Sequence, residues 1–168
     1  MVCHGNIARS QVLHHYLQRS LIQLGVEADL FSCGTVPADA YTHADELLRD
    51  VQAQLDRRGL KAIVERTPWS AEAAEVVRRS DIVLAADEAR RQDVLSRTGI
   101  DPTRVFLFYE YIGEGSRDFV DTFDHGKGRQ HPDRYAGCFD KLERIAQRAA
   151  SRISATLAGA GRRGAIWR

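Results

Sequence analysis

The chain has little of several things whose abundance would define other classes of protein. Three cysteines in 168 residues, an odd number with no Cys-x-x-Cys pair, exclude a disulfide framework and a zinc ribbon and suit a reducing compartment, the cytoplasm. No run approaches the ~20 apolar residues that span a bilayer, and no basic stretch followed by an apolar one opens the chain, so neither a membrane nor an export segment is expected. An excess of one charge is also missing. Lys and Arg number 24 against 23 Asp and Glu, a net of +1 that gives nucleic acid no support as a partner. Apolar residues at 43% and charged residues at 28%, without repeats or low-complexity tracts, exclude disorder, collagen and coiled coil. The length fits one core.

What is present is an alternation of elements. Leu13, Leu17, Leu21 and Leu24 recur at helical spacing and predict a helix over 11–24, with Ser10 as its cap and Gly25 as its stop. A strand is read from Ala28 to Cys33. Ala44, Leu48, Val51 and Leu55 mark a second helix ending near Gly59, and a shorter one lies near 70–79. Ile82 to Ala86 is apolar without alternation, the pattern of a strand covered on both faces. A helix near 88–97, a strand from Val105 to Phe108 and a long last helix through Leu142, Ile145, Ala149, Ile153 and Leu157 complete the pattern. Parallel strands need such helical crossovers, so the fold class is three-layer α/β with a mostly parallel sheet. A single domain over 1–158 and a flexible basic tail over 159–168 are expected. Ligands of open α/β sheets bind beyond the carboxyl ends of the strands. Two loops therefore stand out: Cys3 to Ser10, and a helix-free stretch from about Glu110 to Gln130 that exceeds ordinary connector length.

Residues 2–10 read Val-Cys-His-Gly-Asn-Ile-Ala-Arg-Ser. A cysteine, five residues and an arginine at a helix amino terminus are what cysteine-dependent phosphoryl transfer needs. Backbone N–H groups of His4, Gly5, Asn6, Ile7, Ala8 and Arg9 would cradle a tetrahedral anion at the positive end of the helix. Cysteines in such fields ionise more readily, so Cys3 is the expected nucleophile. Arg9 offers a planar fork for two phosphoryl oxygens. Gly5 permits close approach, Asn6 tolerates a left-handed conformation, and the Ser10 hydroxyl can bond the sulfur as it leaves.

On these residues the chain resembles the low-molecular-weight protein tyrosine phosphatases, whose signature runs Cys-x-Gly-Asn-x-Cys-Arg-Ser. Ser32-Cys33-Gly34-Thr35 and Leu84-Ala85-Ala86-Asp87 resemble two further family motifs. The resemblance implies a flavodoxin-like sheet of four strands in the order 2-1-3-4, a phosphocysteine intermediate, no cofactor, and phosphorylated proteins as substrates, phosphotyrosine first among them. Ala8 replaces the second signature cysteine, so a disulfide at that spacing cannot form; Cys33 is read as a small packed side chain. Gln11 replaces a proline, with only a favourable first-turn residue lost.

The resemblance also implies an Asp-Pro general acid before the last helix, and none stands there. Candidates are Asp118, Asp121, Asp124 and Asp133. Pro132-Asp133 reads as an ordinary helix start. Asp124 is the expected acid, with His125 in place of a proline and the loop correspondingly loose, and Asp121 is second. Aromatic residues that follow the acid in the family are absent after Asp124, so Phe123 or Tyr41 would have to wall a phosphotyrosine ring. Ile7 stands where the related arginine phosphatases carry Thr, which favours tyrosine.

Two other readings stay open at this stage. One is a phosphate- or phosphopeptide-binding module with little turnover. The other is an arsenate-reductase-like relative, which would need two further cysteines near the third strand; residues 80–97 hold none. No metal site is expected, because neighbouring His14 and His15 on a helix point to different faces. The basic end of the last helix, with Arg162 and Arg163, is expected to be solvated or to attract acidic phosphopeptides. Oligomeric state is not set by the sequence. Only Met1 and Val2 precede Cys3, so the first strand reads as truncated, with its start upstream or its place filled by a segment such as Ala165-Ile166-Trp167.

Overall fold

A computed structural model describes residues 1–41, 44–60, 63–124 and 129–161. Four short strands, β1 (Val2–Cys3), β2 (Cys33–Gly34), β3 (Val83–Ala85) and β4 (Val105–Leu107), form a parallel sheet in the order β2-β1-β3-β4. The first strand is short, as the sequence suggests, yet it occupies the centre. Cys33 N donates to Met1 O at 3.1 Å on one side, and Ala86 N donates to Val2 O at 2.9 Å on the other. The Ala165–Trp167 segment lies outside the described residues.

Alternation along the strands divides the core in two. Cys3 and Leu84 pack with α1 (Arg9–Gln23), α2 (Ala44–Arg57) and the last helix α7 (Cys138–Gly161). Val2, Cys33, Val83 and Val105 pack with α3 (Ala71–Arg79) and α4 (Glu88–Thr98) on the opposite face. Leu13 and Leu17 of α1 and Leu142 and Ile145 of α7 are fully buried, each stabilising by about 1.5–3 kcal/mol over an exposed position. Ser70 caps α3 and Asp87 caps α4 through hydrogen bonds to N–H groups three residues on. Gly99, at φ 63°, closes α4.

Several boundaries differ from the sequence reading. The strand expected from Ala28 shrinks to Cys33–Gly34, because β1 offers only Val2 and Cys3 to pair with. Helix α1 begins at Arg9, and Ser10 is not its cap; its hydroxyl is engaged elsewhere. Phe108 leaves the sheet and starts a helical turn, α5 (Phe108–Tyr111). The stretch expected to be helix-free thus opens with a helical turn, and it ends in a ribbon of β5 (Phe123–Asp124) against β6 (Arg129–Gln130). A separate turn, α6 (Pro132–Ala136), precedes α7, with Gly137 between them. Helix α7 runs on to Gly161, since no proline interrupts Ala158–Gly161, so 159–161 are helical; Arg162 and Arg163 lie outside the described residues. Among the described residues no helix is long and apolar enough to cross a membrane.

Candidate active site

The loop from Cys3 to Arg9 leaves the central strand at its carboxyl end, and four of its carbonyls have defined partners. Cys3 O and His4 O accept from Thr35 N at 3.1 and 2.9 Å. Gly5 O accepts from Arg66 Nε at 2.8 Å, and Ala8 O from Val12 N at 2.8 Å. In a trans peptide the N–H points opposite to the carbonyl of the same plane. Carbonyls pinned outward therefore turn the N–H groups of His4, Gly5 and Asn6 into the loop, an arrangement that can cradle an anion. Asn6 supplies the reversal, with φ at 53°.

The Asn6 side chain locks this geometry. Its Oδ1 accepts from Thr67 N at 2.7 Å and from Gln11 Nε2 at 2.9 Å, which fixes the orientation of the amide. Nδ2 then donates to Ser10 Oγ at 2.8 Å. Ser10, having accepted from Asn6, still has its own proton, and its Oγ shares a hydrogen bond with Cys3 Sγ, 3.0 Å away. Gln11 does more than occupy a first-turn position, because its amide also donates to Glu65 O. Behind the loop, a Cβ on Gly34 would lie 2.8 Å from His4 O, so only glycine admits the cradle there.

Arg9 is 3% exposed and lies between carboxylates. Its Nη1 donates to Asp87 Oδ2 at 2.8 Å and to Phe119 O at 3.2 Å, and its Nη2 meets Asp121 Oδ2 at 2.9 Å. Burial opposes its charge, but Cys3, Asp121 and Asp87 more than reverse this and raise its pKa. The guanidinium stays charged.

The pocket over this loop is lined by Cys3, His4, Gly5, Ile7, Ala8 and Arg9 from below, and by Tyr41, Asp121, Phe123 and Gln130 from above. Tyr41 meets Phe123 edge to face at 5.9 Å. Burial, with the negative charge of Asp121 and Cys3, pushes the Tyr41 phenol up to about 12, so it is a neutral wall. Both aromatic candidates for that wall are in place. His4 Nδ1 lies 2.7 Å from Arg90 Nη1, which can only donate, so the ring accepts there and the neutral tautomer carries its proton on Nε2.

The four candidate acids separate. Asp118 accepts from Glu88 N at 2.8 Å and holds the start of α4. Asp133 is exposed in the first turn of α6, as a helix-start residue should be. Asp124 lies on β5 with its backbone paired to Arg129; its side chain and His125 lie outside the described residues. Asp121 is brought to Arg9 and the cradle. Despite the missing proline, its segment is tied down by Phe119 N to Ala86 O and His131 N to Thr122 O, each 2.7 Å. An available signal pointed here: Asp121-Thr122-Phe123 has an aromatic residue two positions after the acid.

Nothing local in the sequence marks Asp87 as a partner of Arg9, or Arg66 as a partner of the loop. The Arg66 fork also reaches Ala38 O and Pro37 O at 2.7 and 2.8 Å and lies 5.4 Å from the Tyr41 ring centre. It ties the cradle to the aromatic wall. All three cysteines are free thiols. Cys33 shares a face with Val2, opposite to Cys3, and burial pushes it up to about 11. Burial likewise pushes Cys138 up to about 12. Among the described residues no three His, Cys, Asp or Glu side chains gather as a metal site.

A family model described as low molecular weight phosphotyrosine protein phosphatase matches residues 1–158. Solved structures share the fold at low identity. A low molecular weight protein tyrosine phosphatase from Bacillus subtilis is 24% identical, with 92% of this chain and 95% of that one covered at a TM-score of 0.67. The YwlE arginine phosphatase from Geobacillus stearothermophilus is 22% identical, with 94% and 93% covered at 0.69. Vibrio vulnificus Wzb, in complex with benzylphosphonate, is 18% identical, with 90% and 94% covered at 0.64. No curated protein sequence matches the chain.

Proposed function

The chain belongs to the low molecular weight phosphotyrosine protein phosphatase family, and on that premise we propose that it hydrolyses phosphotyrosine in proteins through a phosphocysteine intermediate. The observation that carries this reading is the alignment of three groups on one loop: Cys3 Sγ at 3.0 Å from the Ser10 hydroxyl, the inward N–H groups, and the buried Arg9 fork. Phosphoryl transfer asks little covalent work of a protein beyond positioning and charge, and this loop supplies both.

In the first step the Cys3 sulfur attacks phosphorus, the P–O bond to tyrosine breaks, and Asp121 gives its proton to the departing oxygen. Asp121 takes the role for which the sequence favoured Asp124, because its carboxylate already sits 2.9 Å from Arg9. The entering phosphoryl group displaces this carboxylate from Arg9, and, released from the ion pair, it takes up the proton of the Cys3 thiol, the one it then gives to the leaving oxygen. In the second step Asp121 takes a proton from water, the water oxygen attacks phosphorus, and the S–P bond breaks. The Ser10 hydroxyl stabilises the thiolate that departs. Tyr41 and Phe123 flank the ring, and apolar Ile7 in the cradle favours an aryl over a guanidinium substrate.

Hydrolysis of p-nitrophenyl phosphate tests this directly. Wild type should turn over and be inhibited by vanadate, and Cys3→Ser should be inactive. Equal rates for the two would overturn the reading.

A further inference from the structure

Outside the pocket lining lies a cluster of positive charge that the chemistry above does not use. Gly113 and Gly115, at φ 77° and 83°, turn the chain so that Glu114 faces α7. Three guanidiniums converge on this one carboxylate. Arg117 Nη2 and Arg144 Nη2 each lie 3.1 Å from Oε2, and Arg144 and Arg148 both reach Oε1. The carboxylate is 19% exposed, whereas Arg117, Arg144 and Arg148 are 59%, 45% and 53% exposed. The acid thus lies beneath and the cations form the rim. Each guanidinium carries about five N–H donors, and two carboxylate oxygens accept few of the total, so most remain for an incoming oxyanion. The surplus is local, since the whole chain has a net charge of only +1. Lys141 and Arg152 extend the same stripe along α7 at spacings of three and four residues.

The cluster is physically joined to the pocket. Arg117 lies 4.0 Å from the Tyr109 ring centre, and Tyr109 stacks on Phe119 at 5.8 Å. The carbonyl of Phe119 accepts from Arg9, and Asp121 follows two residues later. An extended chain advances about 3.3 Å per residue, so each flanking residue lengthens the reach of a peptide whose phosphorylated residue sits in the pocket.

We propose that Arg117, Arg144 and Arg148 form a docking site for an acidic segment of the phosphoprotein substrate, rich in carboxylate side chains and flanking the phosphorylated residue. This rests on the phosphatase reading. Charge complementarity sets the occupant: the site offers forked donors around one shielded acid, which suits oxyanions on a flexible chain.

The test compares two phosphotyrosine peptides identical but for three flanking Glu or Gln residues, on wild type and on Arg144→Gln/Arg148→Gln. At low salt, about 20 mM, wild type should favour the acidic peptide by about tenfold in kcat/KM, chiefly through KM, and about 0.5 M salt should erase the preference. The double variant should lose the preference while its kcat/KM on p-nitrophenyl phosphate stays within about twofold. An acidic-peptide preference retained by the double variant, or absent from wild type, overturns the proposal. If wild type fails on p-nitrophenyl phosphate, the phosphatase reading has failed instead. Docking is then read from fluorescence anisotropy of a labelled, unphosphorylated Glu-rich peptide: salt-sensitive binding lost in the double variant supports the site, and equal binding by both proteins overturns it.

Discussion

At the scale of single residues the account turns on which carboxylate serves as acid. Asp121→Asn should lower kcat on an alkyl phosphate, a poor leaving group, by about 10²-fold or more, and on p-nitrophenyl phosphate far less. Asp124→Asn should change neither by more than about twofold; the reverse pattern would move the role back to Asp124. Cys3, Arg9, Ser10 and the left-handed Asn6 were legible in the sequence because one short motif states its own chemistry. Asp121 was less legible, because Thr122 stands in place of the proline that would mark it, and the ion pair to Arg9 depends on residues 112 positions apart in the chain. Asp87 was hidden for the same reason: only the packing of β3 beside β1 brings it to Arg9.

Among elements, the cradle is held by segments that carry no catalytic group. Gly34→Ala should force a Cβ against the His4 carbonyl, costing about 1–3 kcal/mol of stability in urea unfolding and lowering activity together with it. Arg66→Met should free the Gly5 carbonyl and weaken inhibition by inorganic phosphate about tenfold with a smaller change in kcat, and Arg66→Lys should restore part of the loss. A purely structural role would lower Tm without that split. Helix α1 also carries a pH signal. Burial, with His15 beside it, lowers His14 to about 4, so between about 6.5 and 4 the unfolded chain binds more protons than the folded one. Stability should therefore be full above that range and fall as pH drops through it. His14→Phe should flatten the decline in urea midpoint between pH 7 and pH 4.5, and an unchanged slope would remove His14 from the account. Helices α1 and α2 were legible from apolar spacing, and α3 and α4 were expected near 70–79 and 88–97. The extents of β1 and β2, the turn at Phe108 and the β5–β6 ribbon were not, because pairing partners rather than local pattern set them.

For the whole molecule, alternation of strands and helices was enough to give a three-layer parallel fold, and the reversal of connectivity at β1 placed the reactive loop at the carboxyl edge of the sheet. The two residues of β1 pair with neighbours on both sides, and both faces of the sheet are covered. The central claim is that phosphorus passes through the Cys3 sulfur. Its most direct test is rapid acid quench of the protein during turnover of an aryl phosphate, followed by intact and peptide mass spectrometry. One added phosphoryl group, carried on the peptide containing Cys3 and absent from Cys3→Ser, is the predicted result. Turnover with no phosphoryl group on that peptide at any quench time, or with one on another residue, would contradict it.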